Sequence, residues 1–443
     1  MNQSYDAVIV GAGVIGAAIA LELSDKGYRT LNIDKLPAAG YGPTSNSCSI
    51  VRAHYSTPEG VAMAFENFSY WEQWADYVGA RDERGLARFI QCGTVLFKGT
   101  NGHENNGGGS HWEKVKAHYD ALGIEYEDWN TDELVERVPY INPSSFWPPS
   151  RPEDESFWKE PDSYLPGAIF TPTSGYVNDP QLATHNLQVA AESRGAAFRF
   201  NDEVISVRID QDRVAGVDLA SGESVDSPVV VNVAGPWSFV LNRMAGVEDD
   251  MKIKTRALRH EVHHVPCPPE LDLTSQGFHI SDGDQAIYFR PELGDSFLVG
   301  SEDPDCDPRV WVEEPNTYER SVTRPQWEAQ VYRLARRVPA VKPSHELKGI
   351  VDLYDVSDDW IPIYDKSSLP GFYMAVGTSG NQFKNAGGVG HLMAELIDSC
   401  ENGHDHDVEP VVVKARFTGL DLGAGFYSRN RAFNAESSLS VNG

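Results

Sequence analysis

Residues 5–34, YDAVIVGAGVIGAAIALELSDKGYRTLNID, constrain the fold more than any other stretch of this chain. YDAVIV (5–10) is a short β-type run, and GAGVIG (11–16) is a G-x-G-x-x-G turn. AAIALELSDKG (17–27) has helical composition and a closing glycine, and YRTLNID (28–34) reads as a second strand. Together they form a β-turn-α-β unit of about 30 residues with Asp34 at the strand end, roughly 20 residues past the glycines. Each glycine has a physical reason: Gly11 allows the tight turn, Gly13 lets backbone approach a pyrophosphate, and Gly16 lets helix and strand pack closely. The helix N-terminus then offers unpaired N–H groups and a positive dipole end to the anion. The expected dinucleotide contacts here are Gly11, Gly13, Val14, Ile15, Gly16, Asp34 and Lys35. A carboxylate at position 34 suits an adenosine ribose with a free 2′-hydroxyl, hence FAD or NAD rather than NADP.

A chain of 443 residues is longer than a single hydrophobic core usually supports, so two domains are expected. With 65 acidic against 37 basic residues and a net charge of −28, nucleic acid is excluded as a partner, because phosphate binding needs clustered Lys and Arg. The five cysteines, at 48, 92, 267, 306 and 400, form no C-x-x-C pair and fit a reducing compartment. The apolar run at 7–23 follows Asp6, lacks a basic flank and is broken by glycines, so it is neither a signal nor a membrane span. A cytoplasmic protein is expected.

Helical patterns fall at 58–78, 111–122, 131–137, 180–194 and 325–337, and strand pairs at 196–210, 213–222 and 227–235. Residues 252–266 and 286–303 read as antiparallel sheet with a turn at Gly294-Asp295. Two stretches, 101–110 and 142–163, have loop composition. The expected organisation is α/β: a discontinuous Rossmann-like nucleotide-binding domain (1–85, 165–250, 340–415), an interleaved antiparallel-sheet substrate domain (86–164, 251–339), and a tail (416–443) of low periodicity that wraps the surface or is partly mobile.

Near the other end lies a second glycine-studded loop, MAVGTSGNQFKNAGGVGHLMAELI (374–397), with Lys384 at its centre. Val389, Leu392, Met393, Leu396 and Ile397 recur at helical spacing, so the loop opens an amphipathic helix docked on a core, and its glycine-rich start leaves N–H donors for an anion. HDHD (404–407) and the histidines at 260, 263 and 264 have metal-like composition; polar turn context and strand alternation argue against a metal site in either. No G-x-S-x-G elbow supports a hydrolase.

Four stretches, GAGVIG with Asp34, TSNSCSIVRAHY (44–55), SGYVNDPQL (174–182) with VVVNVAGPWS (229–238), and GIVDLYDVSDDWIPIYD (349–365) with the 374–397 loop, resemble the FAD-dependent amine and amino-acid oxidoreductases. That family includes glycine oxidase, D-amino-acid oxidase and sarcosine oxidase, and the similarity is strongest to the sarcosine oxidase branch. The resemblance implies a glutathione-reductase-type, D-amino-acid oxidase-like fold, with the late loop at the flavin ring. It implies FAD contacts from Thr44, Ser45, Val204, Ala234, Gly235, Trp237, Gly377, Gly380, Asn381, Gln382, Phe383 and Lys384. It further implies that Arg52 and Lys384 grip a substrate carboxylate, with Tyr288 and His54 as further catalytic candidates. The expected reaction is oxidation of the C–N bond of a small, N-alkylated, carboxylate-bearing amine, with oxygen or another electron acceptor. The alternatives are a 2-hydroxy acid dehydrogenase, with His54 or His260 as base, and a flavin-bound assembly factor without turnover. Asp352 stands where the monomeric sarcosine oxidase pattern has a flavin-linking Cys, so non-covalent FAD is expected. Leu298 stands where that pattern has an oxygen-activating Lys.

Overall fold

The computed structural model describes residues 3–99, 111–273, 277–292 and 296–443; the 101–110 loop and the Gly294-Asp295 turn lie outside them. At the N-terminal end, strand Ala7–Val10, helix Val14–Asp25 and strand Thr30–Ile33 follow the expected order. The helix begins three residues earlier than composition suggests, because Gly13 is extended and passes directly into it without a side-chain cap. All four residues of each strand are buried. Both faces of the sheet are covered, which is why these strands are apolar throughout and do not alternate.

This unit seeds a six-stranded sheet in the order 197–199, 30–33, 7–10, 230–232, 372–376, 363–366. It is parallel except for the last pair. Helix Val14–Asp25 packs on helices Pro180–Ser193 and Ala386–Glu401, so both glycine loops open from the same layer.

The second body is a nine-stranded sheet built around the long strand Thr255–Pro266, which pairs with Gly349–Ser357, Ser296–Ser301 and Val310–Val312. All its pairings are antiparallel except His279–Asp282 against Thr94–Phe97. Two of its strands, Gly167–Thr171 and Gly349–Ser357, lie within ranges expected for the nucleotide-binding domain.

Helices occupy Pro58–Glu72 with Trp74–Val78, His111–Leu122, Thr131–Arg137, Pro180–Ser193 and Arg324–Arg337, matching the five expected stretches. Two arginines of the last helix are buried against carboxylates: Arg333 pairs with Asp307 at 2.7 Å, and Arg337 with Asp282 at 2.7 Å and Asp284 at 2.9 Å. These pairs tie the helix to the nine-stranded sheet. Among the described residues no helix is long and apolar enough to cross a membrane, and no cluster of side chains could hold a metal ion.

The tail departs from a simple surface wrap. Arg429 bonds Asp365 and Asp407, each at 3.0 Å, and Arg431 bonds Asp359 at 2.7 Å. From these anchors the chain turns inward, and Val441 ends 6 % exposed, packed with Tyr288, Leu298 and Trp360.

Candidate active site

One continuous cavity runs from the first glycine turn to the second, between the two sheets. At one end the N-terminus of helix Val14–Asp25 faces it, with the Val14 N–H 3.3 Å from Thr44 Oγ1. A Cβ on Gly11 would lie 2.4 Å from the Val233 carbonyl oxygen, and its φ of +119° excludes ordinary side chains. Asp34 accepts the Ala12 N–H at 2.8 Å and the Leu36 N–H at 2.9 Å, so the carboxylate also holds the turn itself. Burial raises the Asp34 pKa. Lys35 Nζ stands 4.0 Å over the Trp237 ring, and both side chains bond Asn316 Oδ1.

At the other end, Arg52 and Lys384 are 5 % and 3 % exposed. They come from chain segments more than three hundred residues apart and meet over one ring: the guanidinium carbon is 5.0 Å, and the ammonium nitrogen 4.9 Å, from the centre of Tyr55. Among the described residues neither forms an ion pair with a carboxylate. Lys384 Nζ donates to the Asn381 carbonyl at 2.5 Å. Arg52 donates to the main-chain carbonyls of His54 and Val441. Burial, and then the neighbouring Arg52, push Lys384 well below the usual amine range; burial also lowers Arg52. With only main-chain carbonyls as partners, these desolvated basic groups would be stabilised by an anionic ligand.

Most expected site residues line this cavity: Gly11, Gly13, Val14, Ile15, Gly16, Asp34, Lys35, Thr44, Arg52, Val204, Ala234, Gly235, Trp237, Tyr288, Gly380, Asn381, Gln382, Phe383 and Lys384. Ser45, Gly377 and His54 do not. Ser45 turns back onto the Gly42 carbonyl. The Gly377 N–H is held by Asp355 at 2.6 Å. His54 is 1 % exposed and lies parallel to His279, with ring centres 6.2 Å apart. Burial and Arg52 push its pKa well below the imidazole range. Tyr288 is buried, its hydroxyl 3.7 Å from Cys48 Sγ, and burial raises its pKa. Leu298 is buried in the same apolar cluster, away from the cavity wall.

The glycine-rich helix start proves to serve packing. A Cβ on Gly387 would lie 2.5 Å from the Tyr70 ring, on Gly388 2.5 Å from Asn67 Nδ2, and on Gly390 2.9 Å from the backbone of Ala18. The Gly388 N–H is taken by Asn67 Oδ1 at 2.9 Å and is not left for an anion. His279 and Ser281 also line the cavity and were not among the expected residues, although their alternation along strand His279–Asp282 is a usable signal. Val441 and Asn442 line it too, and no local pattern marks them.

A two-ended cavity with a phosphate turn at one end and a buried cation pair at the other suits an elongated dinucleotide and an anionic substrate. The family model described as FAD-dependent oxidoreductase (DAO) matches residues 6–396. The chain belongs to this family of FAD-dependent oxidoreductases. FAD is therefore its cofactor, and the cradle around Gly11, Gly13 and Thr44 fits that group. The chain is 24% identical to glycine oxidase of Geobacillus kaustophilus over 91% of its own length and 96% of the relative's. It is 24% identical to sarcosine oxidase subunit beta of Rhodobacter capsulatus, covering 89% and 85%. It is 25% identical to 4-methylaminobutanoate oxidase (formaldehyde-forming) of Paenarthrobacter nicotinovorans, where it covers 93% of its own length but 45% of the relative's. Among solved structures, L-proline dehydrogenase from P. horikoshii superposes with a TM-score of 0.73 at 20% identity, covering 97% and 98% of the two chains. Likeness at that identity speaks for the fold.

Proposed function

We propose that the protein oxidises the C–N bond of a small amino acid, N-alkylated as in sarcosine, to an imine that water then hydrolyses. The observation that carries this reading is the convergence of Arg52 and Lys384, buried and without carboxylate partners among the described residues, at the end of the cavity opposite the phosphate turn. Arg52 offers a planar fork to a carboxylate and Lys384 a point charge. Their combined positive potential also disfavours an ammonium on the bound substrate, so the nitrogen is held as the free base that the reaction requires. The Tyr55 ring lies about 5 Å from each cation, and Tyr288 lines the same cavity. FAD, held non-covalently by the cradle of Gly11, Gly13, Thr44 and Asp34, would supply the hydride acceptor for the substrate carbon and the route for electrons to oxygen or another acceptor. The relatives named above as glycine, sarcosine and methylaminobutanoate enzymes support an amine substrate over a 2-hydroxy acid.

Anaerobic titration of the yellow protein with N-methylated amino acids, unsubstituted amino acids, 2-hydroxy acids and carboxylate-free amines tests the reading. Bleaching is expected with the first class. Bleaching by hydroxy acids alone, or by none of the four, would overturn it.

A further inference from the structure

Arg52 does not wait empty. Its Nη2 donates to the Val441 carbonyl at 2.8 Å and its Nη1 approaches the Asn442 carbonyl at 3.5 Å. Next to it, Ser56 uses both its N–H (3.1 Å) and its hydroxyl (2.5 Å) on the Gly443 carbonyl. Residues 439–443 thus present main-chain acceptors to a buried guanidinium. An amino acid would present its carboxylate to the same group.

We propose that residues 439–443 are an internal strap occupying the place of the substrate carboxylate, and that substrate displaces it. The proposal rests on the amino-acid reading above. Three observations support displacement. A carboxylate makes charge-assisted hydrogen bonds to Arg52 about twice as strong as those of the neutral carbonyls it replaces. Leu439 holds a φ of +51°, a left-handed conformation unfavourable for leucine that release relieves. The ion pairs of Arg429 and Arg431 lie ahead of the strap, so its movement leaves those anchors in place.

The test uses FAD-loaded protein and an inert probe read by flavin absorbance: methoxyacetate, which has the carboxylate alone. Removing the competing strap, by deleting residues 438–443, is expected to tighten its binding by about tenfold. In the full-length chain, which needs no folding of a truncated variant, saturating methoxyacetate is expected to accelerate amide hydrogen exchange in 438–443. Unchanged affinity in the deletion, or exchange that is unchanged or slowed by the probe, would make the segment a fixed wall and refute the strap. Methoxyacetate is not oxidised, so these outcomes stand apart from the bleaching test: bleaching without strap release overturns this inference alone, and strap release without bleaching overturns the substrate reading alone.

Discussion

Lys384→Met separates a residue that binds substrate from one that supports the fold. The replacement keeps length and apolar volume and removes the charge. In the folded protein Lys384 Nζ donates to the Asn381 carbonyl, and that carbonyl keeps a second donor, the Tyr55 hydroxyl at 2.8 Å. The substitution therefore orphans no acceptor. It also removes a desolvated ammonium whose pKa burial and Arg52 hold well below its ordinary range, which is a destabilising situation. Thermal stability is expected to be unchanged or raised. Substrate use should suffer, because a charge-assisted hydrogen bond to the carboxylate in a buried site is lost, at a cost of roughly 2–4 kcal/mol or about 30- to 1000-fold in kcat/KM. Anaerobic stopped-flow bleaching gives affinity and rate, and a melting curve on the FAD-loaded protein gives stability. A variant within threefold of wild type on the best substrate (about 0.7 kcal/mol), or one that melts well below it, would refute the assignment of Lys384 as half of a carboxylate clamp.

Gly11→Ala is expected to yield protein without bound FAD, since the added Cβ would stand 2.4 Å from the Val233 carbonyl oxygen; the flavin-to-protein absorbance ratio checks this. Acid precipitation should release the colour to the supernatant, because Asp352 is bonded to Asn46 at 2.6 Å and offers no linking thiol; flavin in the pellet would contradict non-covalent binding. Asp355 and Glu302 are buried carboxyls raised to about 7. The folded state then binds more protons than the unfolded state between about pH 4 and 7, so their contribution is fully present below that window and is lost as pH rises through it, by up to about 1.4 kcal/mol per pH unit for each group. Urea midpoints from pH 5 to 8 should fall, and Asp355→Asn should flatten the slope; an unchanged slope would show that Asp355 ionises normally.

Elements whose signal is local are legible in the amino-acid sequence itself. The turn at 11–16, its flanking strands, and the five helical stretches follow from glycine placement and apolar spacing within single windows of sequence. Lys384 and Arg52 are reachable through their motifs, and most expected cofactor contacts line the cavity. Other features have no local signature. Gly387, Gly388 and Gly390 look like an anion loop, yet each lets the helix approach a neighbour: Tyr70, Asn67 and Ala18. Nothing near residue 302 marks Glu302 as the acceptor for the Ser281 hydroxyl, because that contact depends on how distant strands of the long sheet pair. The tail shows the divide most sharply. Its low periodicity correctly excludes a helix or strand over its last residues, but sequence spacing carries no information about a partner 390 positions away, and only the packed chain brings Asn442 to Arg52.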